Sequence, residues 1–179
     1  MPHSLSIDPT TNHLTADYAK GAAQAILALG HKHPRVHCIT STVAQDISSD
    51  FILAVGANSS FTINVEEISE LVAATNSLVI NIGTLDSNRK AAILPAIQTA
   101  KEYAKPWILD PVSVHASNTR LQYARNLLEY HPAIVRGNAL EIQKLANSNS
   151  PMAAQELALR YGCVVAQTGE TDIITNGVK

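Results

Sequence analysis

The stretch Leu78-Val-Ile-Asn-Ile-Gly-Thr-Leu85 decides the fold class of this chain. It is an apolar, β-branched run that is too short for a helix and ends in a glycine and polar residues. Runs of the same kind lie at Val36–Ile39, Trp107–Leu109, Ala133–Val135 and Cys163–Ala166. Each run is predicted to be a strand buried on both faces, which is typical of a parallel sheet.

Longer patterns with helical spacing separate these runs. They are Val43–Val55, Val65–Thr75, Asn88–Tyr103, Arg120–Glu129, Ala139–Ala146 and Met152–Tyr161. Strands alternating with helices predict βαβ units, and therefore an α/β fold with a mainly parallel sheet and right-handed crossovers. A further helix is predicted over Tyr18–Leu29 with Gly30 as its stop. Residues 1–17 are interpreted as a loose leader, and residues 18–179 as one domain.

The composition indicates a packed globular domain. Of 179 residues, 46% are hydrophobic and 16% are charged, and the net charge is −2. The basic residues are scattered, so neither nucleic acid nor an anionic membrane is expected as a partner. No apolar run has the length of a spanning helix, and no secretory signal is visible. Cys38 and Cys163 sit in apolar runs, so they are predicted to be buried free thiols, which fits a cytoplasmic location.

Polar side chains follow each predicted strand at the point where it ends. They include Thr40, Asn81, Asp110, Arg136 and Thr168. The carboxyl ends of parallel strands share one edge of the sheet, and ligands bind there. These residues are therefore expected to converge on a ligand site, although a plain α/β scaffold would also place turn residues at such positions.

Anion and metal binding is the chemistry that this edge could support. Arg136 offers a planar donor fork suited to phosphate, and a carboxylate such as Asp110 can hold Mg²⁺. Glu141 has the spacing of a capping box with Asn138, and it could also serve a metal. Thr168-Gly169 could present a hydroxyl and a backbone N–H to phosphate, or could be a simple turn.

Several other site types are not indicated. His115 is the only histidine near the proposed edge, and the seven histidines show no metal-ligand spacing. The two common glycine-rich phosphate fingerprints are absent from the sequence, as are a nucleophile elbow and a cysteine pair at zinc spacing.

Six segments together resemble the hydroxyethylthiazole kinase family, which has the ribokinase-like fold, a three-layer sandwich. They are Pro34–Thr40, Leu53–Ala57, Leu78–Leu85, Ile108-Leu-Asp-Pro-Val112, Ile134-Val-Arg-Gly-Asn138 with Glu141, and Thr168-Gly-Glu-Thr-Asp172. Their order and spacing match from about residue 20 to the C-terminus, which corresponds to the first two thirds of the family.

The resemblance implies an activity and a set of roles. The family phosphorylates the hydroxyl of 4-methyl-5-(2-hydroxyethyl)thiazole with ATP and Mg²⁺ in thiamine biosynthesis, and its members resemble one another in forming trimers with the thiazole site between subunits. By this resemblance ATP would be bound by Arg136, Thr168 and Gly169, the metal by Asp110 and Glu141, and the thiazole alcohol by Phe61, Ser41 and Thr40.

The chain departs from the family pattern on the thiazole side. Ser41 stands where the family usually has asparagine, Asn58-Ser-Ser-Phe61 replaces a Ser-Pro-x-Met pattern, and Asp46 and Asp50 replace further asparagines. Ser113-Val-His115 replaces Gly-Ala-Gly, and its larger side chains are expected to fill room that glycines leave for a ligand.

The chain also ends before the family's Gly-rich Thr-Gly-x-Gly-Cys stretch, so a C-terminally truncated domain with an exposed apolar sheet face is expected, and no catalytic residue is assigned. Two alternatives stay open. One is an inactive homologue that binds nucleotide or thiazole, and the other is a ribokinase-like enzyme for a different small alcohol.

Overall fold

The computed structural model describes residues 9–178 and contains one seven-stranded sheet with the strand order β2-β1-β3-β4-β5-β6-β7. All neighbouring strands are parallel except β6 and β7, which are antiparallel. The strands are β1 (Arg35–Ile39), β2 (Asn58–Ser60), β3 (Ser77–Asn81), β4 (Trp107–Asp110), β5 (Ile134–Asn138), β6 (Val164–Thr168) and β7 (Ile173–Thr175). The predicted α/β class and mainly parallel sheet are confirmed.

The described residues form seven α-helices, of which α1 precedes β1 and the other six lie between strands. They are α1 (Pro9–Lys32), α2 (Gln45–Ala54), α3 (Ile68–Ala73), α4 (Ser87–Glu102), α5 (Asn118–Leu128), α6 (Ala139–Ala146) and α7 (Ala153–Tyr161). A short 3₁₀ turn (Thr42–Ala44) precedes α2. Each predicted helix of the α/β pattern is present, with bounds that differ by a few residues at most ends.

The core fills one face of the sheet. Along β3 and β4 every second residue is buried, as Leu78 and Ile80 are in β3 and Leu109 is in β4. Their neighbours Val79 and Ile108, which point to the opposite face, are only half-buried. The expected partly exposed apolar face is therefore present on the described part of the sheet.

The leader expected over residues 1–17 overlaps α1, which begins at Pro9. Proline is well tolerated in the first turn of a helix, so it does not argue against a start there. Residues 18–27 of this helix are exposed, and therefore no buried stripe marks its extent. Residues 1–8 lie outside the described residues.

Gly30 does not end α1, which continues to Lys32. A Cβ on Gly56 would lie 2.7 Å from the Gly30 Cα, and Gly56 itself has a φ of +89°. The two glycines therefore allow the helix backbone and the turn before β2 to approach closely. Gly30 serves this contact rather than a helix stop.

Candidate functional site

The carboxyl ends of the parallel strands form one continuous edge, as the sequence predicted. Asn81 at the end of β3 is in register with Asp110 at the end of β4, and Asn138 of β5 is in register with Thr168 of β6. Thr40 directly follows β1, which pairs with β3. The five strand-end positions thus lie along this edge, and the contacts below show which of them meet.

Asp110 is the centre of the cluster. Asn81 Nδ2 donates a hydrogen bond of 2.7 Å to Asp110 Oδ2, and the Arg136 guanidinium lies 3.7 Å from the same oxygen. The other carboxylate oxygen, Oδ1, is buried and has no hydrogen-bond partner in the structure. Burial raises the pKa of Asp110, against the opposing effects of Asn81 and Arg136, and the nearby charge of Glu141 raises it further. The result is a carboxylate that is short of one donor or cation.

Glu141 connects two loops of this edge. Its side chain accepts from the Asn138 N–H at 2.9 Å while its own N–H donates to the Asn138 side chain, so the predicted capping box of α6 is present. Its other oxygen accepts from the Ser113 N–H at 2.7 Å. Both carboxylate oxygens therefore accept hydrogen bonds from backbone N–H groups, and a metal ion would have to share these oxygens with the backbone.

Arg136 lies on the exposed face of β5, with 55% of its side chain accessible. Its charge is therefore available at the surface of the cluster, next to Asp110. An exposed guanidinium can bind a phosphate group through two parallel N–H···O hydrogen bonds.

Thr168 and Gly169 close β6 with internal hydrogen bonds. The Thr168 hydroxyl donates to the Gly137 carbonyl at 3.5 Å, and the Gly169 N–H donates to Asp172 Oδ1 at 3.0 Å. An anion could accept a hydrogen bond from the Gly169 N–H only if the Asp172 side chain moved away. The structure thus places Thr168 beside β5 but shows Gly169 in a closed turn.

Thr40 and Ser41 lie where three loops meet. A Cβ on Gly83 would be 3.2 Å from the Ser41 Cβ and 3.6 Å from a methyl of Val112, so the loops after β1, β3 and β4 are packed against each other. Thr40 is buried, and its carbonyl accepts from Arg89 Nε at 2.9 Å.

Phe61 is not brought to the Asp110 cluster. It follows β2, which lies three strands from β4 in the sheet, or about 14 Å at normal strand spacing. Phe61 lines a cleft of about 610 Å³ formed by residues 61–66 together with Asn88 of α4. Thr40 and Ser41, which follow β1, therefore lie closer to Asp110, and Phe61 follows the next strand outward.

The larger side chains of Ser113-Val-His115 were expected to fill space at the ligand site, but the structure does not place them there. Val114 is 1% exposed and belongs to the hydrophobic core, while His115 is exposed. Ser113 has a φ of +62°, a conformation that favours glycine. A glycine at position 113 would therefore suit the positive φ of the backbone, and it is not needed to leave space for a ligand.

Two arginines at this edge, Arg89 and Arg120, were not predicted from the sequence. Arg89 is buried at the start of α4 and donates to Thr40, Thr42 and Asp86. Arg120, in the first turn of α5, donates to the carbonyls of Ile82, Gly83 and Val112. A cation in the first turn opposes the helix dipole, so this placement was the signal that could have identified both residues.

Cys38 and Cys163 are buried free thiols, as predicted. No group of three or more histidine, cysteine, aspartate and glutamate side chains suited to a metal occurs among the described residues. No helix within residues 9–178 has the length and apolar character needed to cross a membrane.

Solved structures share this architecture. Hydroxyethylthiazole kinase from Pyrococcus horikoshii OT3 superimposes with a TM-score of 0.82 at 29% identity, over 87% of this chain and 63% of that one. An ADP complex of Bacillus subtilis pyridoxal kinase gives a TM-score of 0.58 at 15% identity, over 82% of this chain and 73% of that one, which shows the fold alone.

The sequence comparisons agree with the superposition. The chain is 40% identical over 174 residues to the hydroxyethylthiazole kinases of Escherichia coli (strain K12) and Shigella sonnei (strain Ss046). The match covers 88% of this chain and 66% of each relative, so the chain spans just under two thirds of their length. The family model described as "Hydroxyethylthiazole kinase family" matches residues 26–179. This chain therefore belongs to the hydroxyethylthiazole kinase family.

Proposed function

We propose that this chain carries the metal, nucleotide and acceptor residues of a kinase that phosphorylates the hydroxyl of 4-methyl-5-(2-hydroxyethyl)thiazole with ATP in thiamine biosynthesis. The observation that carries the proposal is the buried, unpartnered oxygen of Asp110 beside the exposed cation Arg136. The names of the relatives supply the acceptor and the reaction. The free buried thiols fit a cytoplasmic location.

Asp110 fits Mg²⁺ as the metal. Mg²⁺ prefers oxygen ligands, and in nucleotide sites it uses one or two carboxylates together with phosphate oxygens and water. Asp110 Oδ1 needs a partner, and Glu141 is near enough to influence its pKa. When bound, Mg²⁺ would neutralise charge on the triphosphate. In this arrangement Asp110 would hold the ion, supported by Glu141, which fixes the surrounding loops.

Arg136 and the β6 turn bind ATP in this proposal. Arg136 projects from the exposed face of β5, and Thr168 lies on the neighbouring strand. The guanidinium pairs with phosphate oxygens, and the Thr168 hydroxyl donates to the nucleotide after leaving its 3.5 Å contact with the Gly137 carbonyl. Gly169 contributes its N–H when Asp172 turns away.

The acceptor lies on the β1 side of Asp110, against Thr40 and Ser41. The acceptor oxygen forms a bond to the γ-phosphorus, the bond to the ADP oxygen breaks, and the hydroxyl proton passes to solvent water. Phe61 follows β2, the strand next to β1, so it lies on the β2 side of this acceptor position. The proposal includes self-association, as in the trimer that the resemblance implies, with Phe61 at the acceptor end of the site.

The test is ADP release by the purified chain with Mg-ATP, with and without the thiazole alcohol. We expect alcohol-dependent ADP, and the variant Arg136→Ala should lose about 1.5–3 kcal/mol of nucleotide binding, or about tenfold or more in Kd. Arg35→Ala is the matched control, because Arg35 is an exposed arginine at the opposite, amino end of β1.

The outcomes distinguish a thiazole kinase from a binding homologue and from a kinase for another alcohol. Nucleotide affinity that is unchanged in Arg136→Ala refutes its assignment. A folded chain that binds nucleotide and the alcohol without turnover contradicts a complete kinase within these residues and favours a binding homologue. ADP release driven by another small alcohol instead would reassign the acceptor.

A further inference from the structure

His37 is a fully buried histidine in the middle of β1, with 0% of its surface exposed. Its ring makes two hydrogen bonds, one between Nδ1 and Ser60 Oγ at 2.7 Å and one between Nε2 and the Thr62 carbonyl at 3.0 Å. Both partners belong to the segment that leaves β2, and they flank Phe61. A single side chain in the sheet therefore holds this segment at two points.

The partners of the ring fix its tautomer and its charge. The Thr62 carbonyl can only accept, so Nε2 carries the proton. Nδ1 of the neutral ring is then an acceptor, and the Ser60 hydroxyl donates to it. Burial lowers the pKa of His37, while the Thr62 carbonyl and the charge of Glu67 raise it. The neutral ring thus acts as a rigid spacer with one donor and one acceptor at a set distance.

The segment that His37 holds has little other support from the sheet. β2 consists of three residues and pairs with β1 only over Arg35–His37 and Asn58–Ser60. After it, Thr62 Oγ1 donates to Glu67 at 2.6 Å and accepts from the Asn64 N–H at 3.3 Å. These bonds lie within the loop, so they shape it but do not attach it to the sheet.

We infer that His37 is a positioning residue for the acceptor end of the site, where it sets the backbone of Phe61 through Ser60 and Thr62. This inference rests on the proposed function, in which Phe61 meets the thiazole alcohol. A buried polar ring costs free energy unless it is hydrogen-bonded. One bond of this ring goes to Ser60, the last residue of β2, and the other to Thr62 in the loop that lines the 610 Å³ cleft, so the ring selects one conformation where the loop leaves the strand.

The test compares three variants by calorimetric titration with the thiazole alcohol and, separately, with Mg-ATP. His37→Phe keeps a ring but removes both bonds, and it should weaken alcohol binding by about tenfold or more. His37→Gln retains one donor and one acceptor and should recover most of the loss. Ser60→Ala removes one bond and should have an intermediate effect. Nucleotide affinity should stay within about twofold in all three variants.

A matched control separates positioning from stability. Thr75 is another buried polar residue, and its hydroxyl donates to the Val72 carbonyl at the far end of α3. Thr75→Val should lower the melting temperature without changing alcohol binding. If His37→Phe unfolds, His37→Gln and Ser60→Ala still carry the comparison.

Amide hydrogen exchange over residues 60–66 provides a readout that does not need the alcohol. Faster exchange in His37→Phe, with recovery in His37→Gln, is the expected result. Unchanged exchange, or alcohol and nucleotide affinities that fall together, overturns the inference. A wild-type chain that binds nucleotide but not the alcohol refutes the proposed acceptor instead, and the exchange data then decide whether His37 positions the loop.

Discussion

Replacing Asp110 by asparagine should stabilise the ligand-free protein while it weakens binding of Mg-nucleotide. The carboxylate is only 16% exposed, and its Oδ1 atom is buried without a partner. Burial raises the pKa of Asp110 despite the Asn81 hydrogen bond and the Arg136 charge. A raised pKa means that the folded state prefers the protonated form. The stability that Asp110 contributes is therefore present below about pH 4 and is lost as the pH rises through the folded-state value.

The size of the gain follows from three contributions. An unsatisfied buried charged acceptor costs more than the about 1–3 kcal/mol of a neutral group, and an amide lowers this cost because it removes the charge. The side-chain carbonyl oxygen of the Asp110→Asn variant can still accept from Asn81, so that hydrogen bond is kept. The attraction to Arg136 is lost, but with 55% of the arginine side chain exposed it is worth at most about 0.5–1 kcal/mol. The net gain is about 1 kcal/mol, or about 2–4 °C in Tm.

The assay is thermal and urea unfolding without Mg²⁺ at about pH 7 and about pH 4.5, and Mg-ATP titration at about pH 7. Asp110→Asn should exceed the wild type in stability at the higher pH, by a margin that narrows on acidification. Its Mg-ATP affinity should fall about tenfold or more. The control Asp86→Asn should show the opposite pH dependence, because Arg89 lowers the pKa of Asp86 and its contribution is lost as the pH falls.

One result would refute this reasoning. If Asp110→Asn is less stable than the wild type by about 1 kcal/mol, the carboxylate is an anchor for Asn81 and Arg136. Unchanged Mg-ATP binding would remove it from the metal site independently of the stability result.

Two further predictions concern the scaffold around the site. Arg89→Leu should cost about 2 kcal/mol in urea unfolding, because the buried Thr40 carbonyl loses its 2.9 Å donor; a loss below about 0.5 kcal/mol would contradict this role. Gly56→Ala should cost at least about 2 kcal/mol, because its new Cβ would meet the Gly30 Cα at 2.7 Å. Gly162→Ala, which has a similar positive φ but no atom within 4 Å of a new Cβ, should cost only about 1 kcal/mol, and equal losses would refute the close approach.

The central strands and the polar edge could be predicted because their signals are local. A short apolar run such as Leu78–Ile82 predicts a strand of a parallel sheet, and the topology of parallel strands then aligns the polar residues that follow. The predicted burial of both faces is wrong, because Val79 is only half-buried. The two edge strands could not be predicted in this way. β2 is Asn58-Ser-Ser60, whose polar residues have low strand propensity, and only its backbone pairing with β1 makes it a strand. β7 is three residues long and antiparallel, a direction that no pattern in the chain indicates.

The contacts within the site were harder to predict than its position. The sequence predicted that Asp110 and Arg136 would lie at one edge of the sheet, and the neighbouring positions of β4 and β5 bring them together. It could not show that Arg89 and Arg120 hold the loops, because a hydrogen bond to a carbonyl such as that of Thr40 depends on the loop conformation and not on residue type. An arginine that donates to a backbone carbonyl has no partner side chain, so the sequence contains no second residue that would reveal the contact.

The Ser113-Val-His115 segment shows why substitutions must be interpreted through the backbone. A glycine-rich loop suggests room for a ligand, and larger residues then suggest that the room is lost. In the structure Val114 packs in the core and His115 faces solvent, so neither fills the site. Ser113 takes the left-handed conformation at φ +62°, at a cost of about 1 kcal/mol, and the Glu141 carboxylate holds its N–H at 2.7 Å. The bond from the Ser113 N–H is a backbone bond that does not depend on the side chain at this position. Both oxygens of Glu141 already accept from backbone, so Glu141 can serve a metal only through water or by releasing the loop.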